Sequence, residues 1–367
     1  MKIAYFTTAQ DNDEYLKSKV EINPSNQVFH TNLISTISLT NQVDVFSCRS
    51  NSFETAEPFS KENGNISWNY LKNKKSKFAN LYTQVSDIKK IKNESSIAFV
   101  DTINTRCLLI ARAYAKKNKI PLIGIVTDNP YNITGAKNRT SSMLLKTAKK
   151  CDGFICLTNA LNELFNKDNK PSLIIKGISK SNNEENSLVD YPYFFFAGTL
   201  LKKYGVIHLV KAFKSLENVD AKLVIAGHSN NDEFCSSIEN NSNIVFLGNI
   251  PNEEVLKYEN NAIANINPRP FMDEFDRYSI PSKVIEYSSK DSLIISGFSS
   301  ELKDSFDDSI LWIDEQNSLE KRLLEAYKLD SKVRKEMISR MKSIYEKEFS
   351  FESANKKIDD FISKIIH

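Results

Sequence analysis

Residues 194–213, FFFAGTLLKKYGVIHLVKAF, decide the fold of this chain. The aromatic run at the start predicts a buried strand that ends at Gly198, and the apolar spacing after Gly205 predicts a helix. The loop between them contains Lys202 and Lys203. Because glycine lets a backbone approach a ligand and free amides suit anionic oxygens, this loop is a candidate site for a diphosphate. Spacing alone favours the alternative, an ordinary strand–turn–helix with solvent-facing lysines.

The same alternation of short apolar runs and longer helical segments extends in both directions, which is typical of parallel sheets with crossover helices. The stretch 176–192, KGISKSNNEENSLVDYP, is polar and aperiodic and ends in proline, so it is interpreted as a linker. The predicted domains are residues 1–178, joined by a tail helix over 350–367, and residues 190–349. Residues 50–92 are predicted to form a helical hairpin or a loop.

Short β-branched and aromatic runs are predicted as strands in both halves. In the first half they are Lys2–Phe6, Val43–Phe46, Ile97–Val100, Leu122–Val126, Gly153–Leu157 and Leu173–Ile175. In the second half they are Tyr193–Ala197, Lys222–Ala226, Ile244–Leu247, Ala262–Ile266, Leu293–Ser296 and Ser309–Ile313. Two Rossmann-like units of this kind bind ligands at the carboxyl ends of their sheets. No GxGxxG motif follows the first strand, so a dinucleotide site there is not supported.

Composition and charge narrow the class of protein. The 367 residues include 49 basic and 46 acidic side chains, a formal net charge of +3, which is too small an excess to indicate nucleic-acid binding. The five cysteines are odd in number and have no zinc-site spacing, so buried free thiols in a reducing cytoplasm are expected. No apolar run approaches the ~20 residues of a membrane-spanning helix. We expect a cytoplasmic protein, at most peripheral at the inner face of the cell membrane.

A second stretch with candidate chemistry is NINPRPFMDEFDRYSIPSKVIEYSSK, residues 265–290. An irregular loop rich in proline and charge follows a strand, and a helix begins near Pro281. Ser282 and Lys283 at that helix start could hold a phosphate, and Glu286 one turn later could accept hydrogen bonds from a ribose. The alternative makes Ser282 a helix cap and Glu286 a surface acid. The two readings are evenly balanced, because so long a loop between buried elements is unusual without a function.

Together these stretches resemble a known family. Residues 191–330 are similar to the nucleotide-sugar domain of glycosyltransferase family 4, in the order GTLLKKYGV, LVIAGH, NIVFLGNI, INPRP, YSIPSKVIEY and LIIS. The first half more loosely resembles bacterial surface-polysaccharide glycosyltransferases in SNQVFHTNLI, VTDNP and CDGFICLTNALNELF. The resemblance implies a GT-B fold, in which two Rossmann-like domains face each other across a cleft and a C-terminal helix crosses back to the N-terminal domain.

The resemblance also implies roles for individual residues. The residues placed at the chemistry are Lys202, Lys203, Lys283 and Asp128. Those placed at the nucleotide-sugar donor are Gly198, Thr199, Gly248, Asn249, Ile250, Arg269, Tyr278, Ser279, Pro281, Ser282 and Glu286. Those placed at the acceptor are Asn26, Gln27 and His30. The alternative for Asp128 is a turn cap before Pro130.

Four positions depart from the family pattern. Thr199 stands for a common arginine, Tyr204 for a lysine, Tyr278 for the first acid of a paired motif, and Thr127–Asp128 for a histidine–aspartate pair. The implied function is retaining transfer of a hexose from a nucleoside-diphosphate sugar, expected to be UDP-linked, to a glycan or lipid-linked acceptor. No metal and no cofactor are expected. The alternatives are a non-catalytic glycosyltransferase-like subunit that stabilises a partner enzyme, and a GT-B nucleotide-sugar epimerase.

Overall fold

Parallel pairing of apolar strands builds two α/β units in the computed structural model. The structure describes residues 1–17, 24–48, 57–74, 76–92, 94–134, 138–181, 186–228, 232–239, 241–270 and 276–366. The first unit contains Met1–Ile178, Arg277–Ser279 and Phe351–His367, and the second contains Ser179–Asp276 and Ile280–Ser350. Each unit has its own sheet and its own core.

Eight strands from the described residues form the sheet of the first unit, in the order β3-β4-β2-β1-β5-β6-β7-β8. They are β1 Lys2–Thr7, β2 Gln42–Ser47, β3 Phe59–Asn63, β4 Ile66–Tyr70, β5 Ile97–Asp101, β6 Leu122–Val126, β7 Gly153–Cys156 and β8 Ser172–Ile174. The helices are α1 Asn12–Lys17, α2 Pro24–Ile37, α3 Lys77–Ile88, α4 Thr105–Asn118, α5 Pro130–Thr134, α6 Arg139–Ala148, α7 Asn159–Phe165 and the C-terminal Phe351–Ile366. Only β3 and β4 pair antiparallel among these neighbours.

Helices cover both faces of this sheet, which explains why its strands are nearly continuous apolar runs. Residues of α3, α4, α6 and α7 pack on one face, and residues of α2 and of the C-terminal helix pack on the other. Polar contacts fix the C-terminal helix to the chain after α2. Asp359 accepts hydrogen bonds from Thr40 Oγ1 at 2.8 Å and from Asn41 Nδ2 at 3.0 Å. The last helix is thus an integral part of the first unit.

Six strands from the described residues form the second sheet, in the order β11-β10-β9-β12-β13-β14, and every neighbouring pair is parallel. They are β9 Tyr193–Ala197, β10 Lys222–Ala226, β11 Ile244–Gly248, β12 Ala264–Asn267, β13 Leu293–Gly297 and β14 Leu311–Ile313. The helices of this unit are α8 Val206–Lys214, α9 Asp232–Ile238, α10 Asn252–Asn261, α11 Ser282–Tyr287, α12 Ser300–Phe306, α13 Leu319–Lys328 and α14 Ser331–Glu348. The C-terminal helix Phe351–Ile366 of the first unit is α15. Of the helices in the described part of the chain, none is long and apolar enough to cross a membrane.

A strand occurs at each predicted apolar run, and no strand end is shifted by more than two residues. The prediction of a helical hairpin or a loop for residues 50–92 was wrong for the part that the structure describes. There, β3 and β4 form an antiparallel hairpin and α3 follows it. Asn63–Gly64, with Gly64 at φ 58°, is the turn signal that this prediction overlooked. Trp68 and Tyr70 alternate inward from β4 and are buried.

Two loops of the second unit approach each other closely at Gly205. Gly205, at φ 82°, lies where an added Cβ would come within 2.1 Å of the carbonyl oxygen of Pro268. Pro268 follows β12, and Gly205 precedes α8. A side chain at position 205 would therefore push the loop after β9 away from the loop after β12. Gly248, at φ 66°, has no heavy atom within 4 Å of such a Cβ and provides a comparison.

We predict that Gly205→Ala destabilises the second unit far more than Gly248→Ala. Both place alanine at positive φ, which costs roughly 1–2 kcal/mol. Only Gly205→Ala adds the clash with Pro268, so we expect a further loss of about 2 kcal/mol or more. Urea unfolding followed by Trp312 fluorescence in a Trp68→Phe background measures the second unit alone, since the chain has two tryptophans. Equal losses for the two variants would contradict the close approach.

Candidate functional site

The loops at the carboxyl edge of the second sheet are joined by backbone hydrogen bonds. Gly198 N donates to Ala226 O at 3.0 Å, and Gly227 N donates to Gly248 O at 2.7 Å. These contacts link the ends of β9, β10 and β11 in one row. Parallel sheets bind ligands at this edge, and Gly198 and Gly248 of the predicted donor set both lie there.

The loop after β9 presents its two lysines to solvent. Lys202–Tyr204 form a 3₁₀ turn closed by the hydrogen bond from Gly205 N to Lys202 O. Lys202 Nζ lies 3.1 Å from Glu233 Oε1 of α9, and both side chains are exposed. Lys203 Nζ lies 5.1 Å from the ring centre of Tyr204. Lys203 is thus the more available cation, whereas Lys202 must exchange its carboxylate partner for a ligand.

A cluster of charged residues surrounds Lys283 in the first turn of α11. Its Nζ lies 3.0 Å from Glu286 Oε2 and 3.5 Å from Glu259 Oε1. The Lys283 side chain is 35% exposed, whereas that of Glu259 is wholly buried. The structure therefore places Lys283 and Glu286 together, as an ion pair three residues apart. Glu259 contributes a second carboxylate from α10 and was not among the site residues predicted from the sequence.

Burial and charge act against each other in this cluster. Burial, helped by the negative charge of Glu286, raises the pKa of Glu259 to about 7, although Lys283 and Lys290 oppose the shift. Burial would lower the pKa of Lys283, but the carboxylates of Glu286 and Glu259 outweigh it and hold that pKa well above its usual value. Lys283 is therefore a permanent cation beside a carboxyl group that titrates near neutral pH.

The other predicted donor residues fall into two groups. In the second unit, Thr199, Asn249 and Ser282 are exposed, Ile250 and Pro281 are half-buried, and Arg269 Nη2 lies 3.5 Å from Asp276 Oδ1. Tyr278 and Ser279 belong to the first unit, where Tyr278 packs against the core of buried residues. The structure thus does not group these last two with the rest. Their predicted donor contacts stay a prediction.

In the first unit, His30 of α2 lies in a buried polar cluster with Tyr5 of β1 and Asp101 of β5. Its Nδ1 lies 2.7 Å from the Tyr5 hydroxyl, and its Nε2 lies 3.5 Å from Asp101 Oδ2. Burial is the main cause that raises the pKa of Tyr5 well above its usual value, and the charge of Asp101 adds to it. His30 is fully buried, so its predicted acceptor role needs an intermediary at the surface.

Asn26, which is half-buried, connects Asp101 with Thr127. It donates from Nδ2 to Asp101 Oδ2 and accepts at Oδ1 from Thr127 Oγ1, each at 3.4 Å. Tyr5 and Asp101 were not among the site residues predicted from the sequence. Asp101 had a usable signal, because it is an acid that directly ends the apolar strand IAFVD.

Gln27 and Asp128 have local partners. Gln27 braces the chain after β1, since its amide accepts from Gln10 N at 3.1 Å and donates to Gln10 O at 2.6 Å. Asp128 accepts at Oδ1 from Asn129 N at 2.7 Å, the turn contact that the alternative reading gave it. Gln27 is buried and Asp128 half-buried, so Asp128 keeps access to solvent.

In the part of the chain that the structure describes, no group of three or more His, Cys, Asp or Glu side chains is arranged to hold a metal ion. Cys48, Cys107, Cys151 and Cys156 are buried, and Cys235 in α9 is exposed. Burial raises the pKa of Cys151 and of Cys156 to about 12.

The family model described as "Glycosyl transferases group 1" matches residues 177–341, most of which lie in the second unit. No curated protein sequence matches the chain.

Similar solved structures extend over both units. Sucrose-phosphate synthase from Thermosynechococcus elongatus has a TM-score of 0.68 at 11% identity, and the match covers 99% of this chain and 98% of that one. Trehalose-6-phosphate synthase OtsA has a TM-score of 0.69 at 10% identity over 99% and 98% of the two chains. HepE from Anabaena, solved in complex with UDP and glucose, has a TM-score of 0.66 at 10% identity over 99% and 100%. At such identities the likeness shows the fold. The chain therefore has the GT-B fold, and its residues 177–341 are similar to the glycosyl transferases group 1 family.

Proposed function

We propose that this protein is a retaining glycosyltransferase of the family 4 type. It moves a hexose from a nucleoside-diphosphate sugar, UDP-linked by preference, to a hydroxyl group of a glycan or lipid-linked acceptor in cell-surface glycoconjugate synthesis. The observation that supports it most is the Lys283–Glu286 pair, which lies within the segment that matches the group 1 model. The solved neighbour HepE was crystallised with UDP and glucose, which favours a UDP-linked donor.

The proposed chemistry depends on charge stabilisation. In the transfer, the bond between the anomeric carbon and the diphosphate oxygen breaks, and a bond to the acceptor oxygen forms on the same face. The acceptor proton passes to the departing phosphate. Lys283 and Lys203 stabilise the negative charge that grows on the diphosphate, while Lys202 joins them once it leaves Glu233. Neither a metal ion nor a cofactor takes part in this proposal, and no nucleic acid is a partner.

The acceptor side of the proposal rests on the first unit. Asn26 and Asp128 are the residues with access to solvent, and His30 acts through the Asp101–Asn26 contacts. Asp128 positions the attacking hydroxyl group. The non-catalytic subunit remains the alternative, because Thr199, Tyr204 and Tyr278 replace charged residues of the family pattern. Turnover of any nucleotide sugar would exclude it. Release of free sugar with water as sole acceptor would instead favour the epimerase.

A lipid-linked acceptor implies contact with a membrane surface, and α3 offers a suitable face. Phe78 and Tyr82, 88% and 80% exposed, are neighbours four residues apart on this helix. Leu81 and Val85 on its other face pack against the core. Lys77 is also exposed. Aromatic rings beside a lysine suit the boundary of an anionic membrane. We therefore propose a cytoplasmic protein that binds the inner face of the cell membrane through α3.

We predict that Glu286→Gln weakens nucleotide binding about ten- to a hundredfold, because a hydrogen bond from ribose to a carboxylate is worth roughly 1.5–3 kcal/mol. Wild-type protein at a hundredfold excess of UDP over its dissociation constant should gain about 2.7 kcal/mol of stability. Ligand-dependent thermal shifts measure both quantities. Glu253→Gln, an exposed acid on α10, is the matched control and should bind like wild type. Normal binding by Glu286→Gln would remove that residue from the donor site.

We predict that Asp128→Ala lowers sugar transfer at least tenfold while nucleotide affinity stays within about twofold, some 0.4 kcal/mol. The reason is that Asp128 belongs to the acceptor side only. Transfer and donor hydrolysis are assayed side by side in the same samples. Transfer at the wild-type rate would return Asp128 to the turn contact with Asn129.

We predict that the double variant Phe78→Ser, Tyr82→Ser loses binding to vesicles of phosphatidylglycerol and phosphatidylcholine. Burying one large aromatic side chain contributes roughly 1.5–3 kcal/mol, so vesicle affinity should fall at least tenfold. Cosedimentation measures it. Val333→Ser, another exposed apolar residue, is the control and should bind like wild type. If wild-type protein does not bind anionic vesicles, the membrane contact is wrong although the donor chemistry can stand.

A further inference from the structure

Glu259 is a buried acid that the proposed chemistry does not use. It lies in the last turns of α10, and its backbone oxygen accepts hydrogen bonds from Asn265 Nδ2 at 2.7 Å and Ser292 Oγ at 2.9 Å. Those contacts satisfy the backbone carbonyl group of Glu259 and fix the position of the residue. Its side chain is fully buried, and Oε2 has no hydrogen-bond partner among the residues that the structure describes. A bare carboxylate in such a place is costly unless a cation or a proton accompanies it.

Lys283 is the cation that accompanies it, but it is shared. Its ammonium lies between Glu259 Oε1 at 3.5 Å and Glu286 Oε2 at 3.0 Å. Lys290 is buried close enough to act on Glu259 electrostatically, and the ring of Tyr287 lies 5.7 Å from Lys283 Nζ. Among the residues that the structure describes, the titratable groups that act on Glu259 are Lys283, Glu286, Tyr287 and Lys290. Two carboxylates beside Lys283 leave little of its positive charge for an anionic ligand, whereas one carboxylate leaves more.

We propose that Glu259 is a positioning residue of the donor site, which holds the Lys283 ammonium and whose protonation state sets how much of its charge reaches the donor diphosphate. The proposal rests on the proposed function for the identity of the ligand. The shifted pKa of Glu259, about 7, places the change in the physiological range. Below that pH the protonated acid leaves Lys283 paired with Glu286 alone. Above it, the extra negative charge competes with the donor.

The charge-removing variant Glu259→Gln tests the donor role. The probe is UDP-glucose, whose diphosphate stays fully ionised between pH 6 and pH 8. Wild-type affinity should fall about three- to tenfold across this range, the scale of one nearby charge at partial screening. Glu259→Gln should bind with the same tight affinity at both pH values. The exposed acid variant Glu254→Gln, on the same helix, should keep the wild-type dependence. The same dependence in Glu259→Gln would overturn the proposal.

A second measurement needs no ligand. Since the folded pKa of Glu259 lies above the ordinary value of 4.5, the folded protein binds the extra proton between these two pH values. Wild-type stability should therefore fall, relative to Glu259→Gln, as pH rises from about 4.5 through about 7. The difference in melting temperature between the two proteins should grow over that window and then level off. A constant difference would mean that Glu259 does not titrate there, and the proposal would fail.

The two measurements separate failure of the inference from failure of the proposed function. If UDP-glucose does not bind wild-type protein while the stability difference grows with pH, the proposed donor is wrong and Glu259 still titrates with its neighbours. Should Glu259→Gln not fold, Lys283→Met reports the coupling from the other side. Removing the cation should move the pH-dependent loss of stability to higher pH. An unmoved transition in Lys283→Met would overturn the coupling.

Discussion

Parallel pairing of β9 with both β10 and β12 is the constraint on which the second unit depends. YFFFA occupies the middle of the sheet, is buried on both faces, and pairs in parallel with both neighbouring strands. Parallel strands return through helices, and their connecting loops then emerge at one edge. This arrangement gathers the loops after β9, β10 and β12, and Gly205 allows the loops after β9 and β12 to approach each other closely. The chemistry of the chain follows from which side chains those loops and the adjoining helices provide.

Much of the fold was predictable because strands covered on both faces leave a strong apolar signal in sequence. The β3–β4 hairpin was not, because Phe59–Asn63 is largely exposed and polar. Only the Asn63–Gly64 turn indicated the hairpin in the sequence. Short helices such as Asn159–Phe165 also lack enough turns for a helical period to show.

The residues missed in the candidate sites share a physical reason. Glu259 follows Glu253 and Glu254 in NEEVLKYENN, so its sequence environment is that of a solvated helix. In the folded chain it contacts Asn265 of β12 and Lys283 of α11. The spacing of residues within α10 does not encode these tertiary contacts. Tyr5 belongs to an apolar strand and is indistinguishable there from a core residue. Lys283 and Glu286, by contrast, lie three residues apart on one helix, so their proximity was readable in advance.

The thiols of the chain differ sharply in access. Four are buried, and burial holds the pKa values of Cys151 and Cys156 near 12, so almost no reactive thiolate forms there at neutral pH. Cys235 is the exposed exception, in the same short helix as Glu233, the partner of Lys202. A maleimide dye would therefore label the native protein at one position without engineering. Such a fluorophore would lie beside the loop after β9 and would sense any rearrangement that frees Lys202 from its carboxylate.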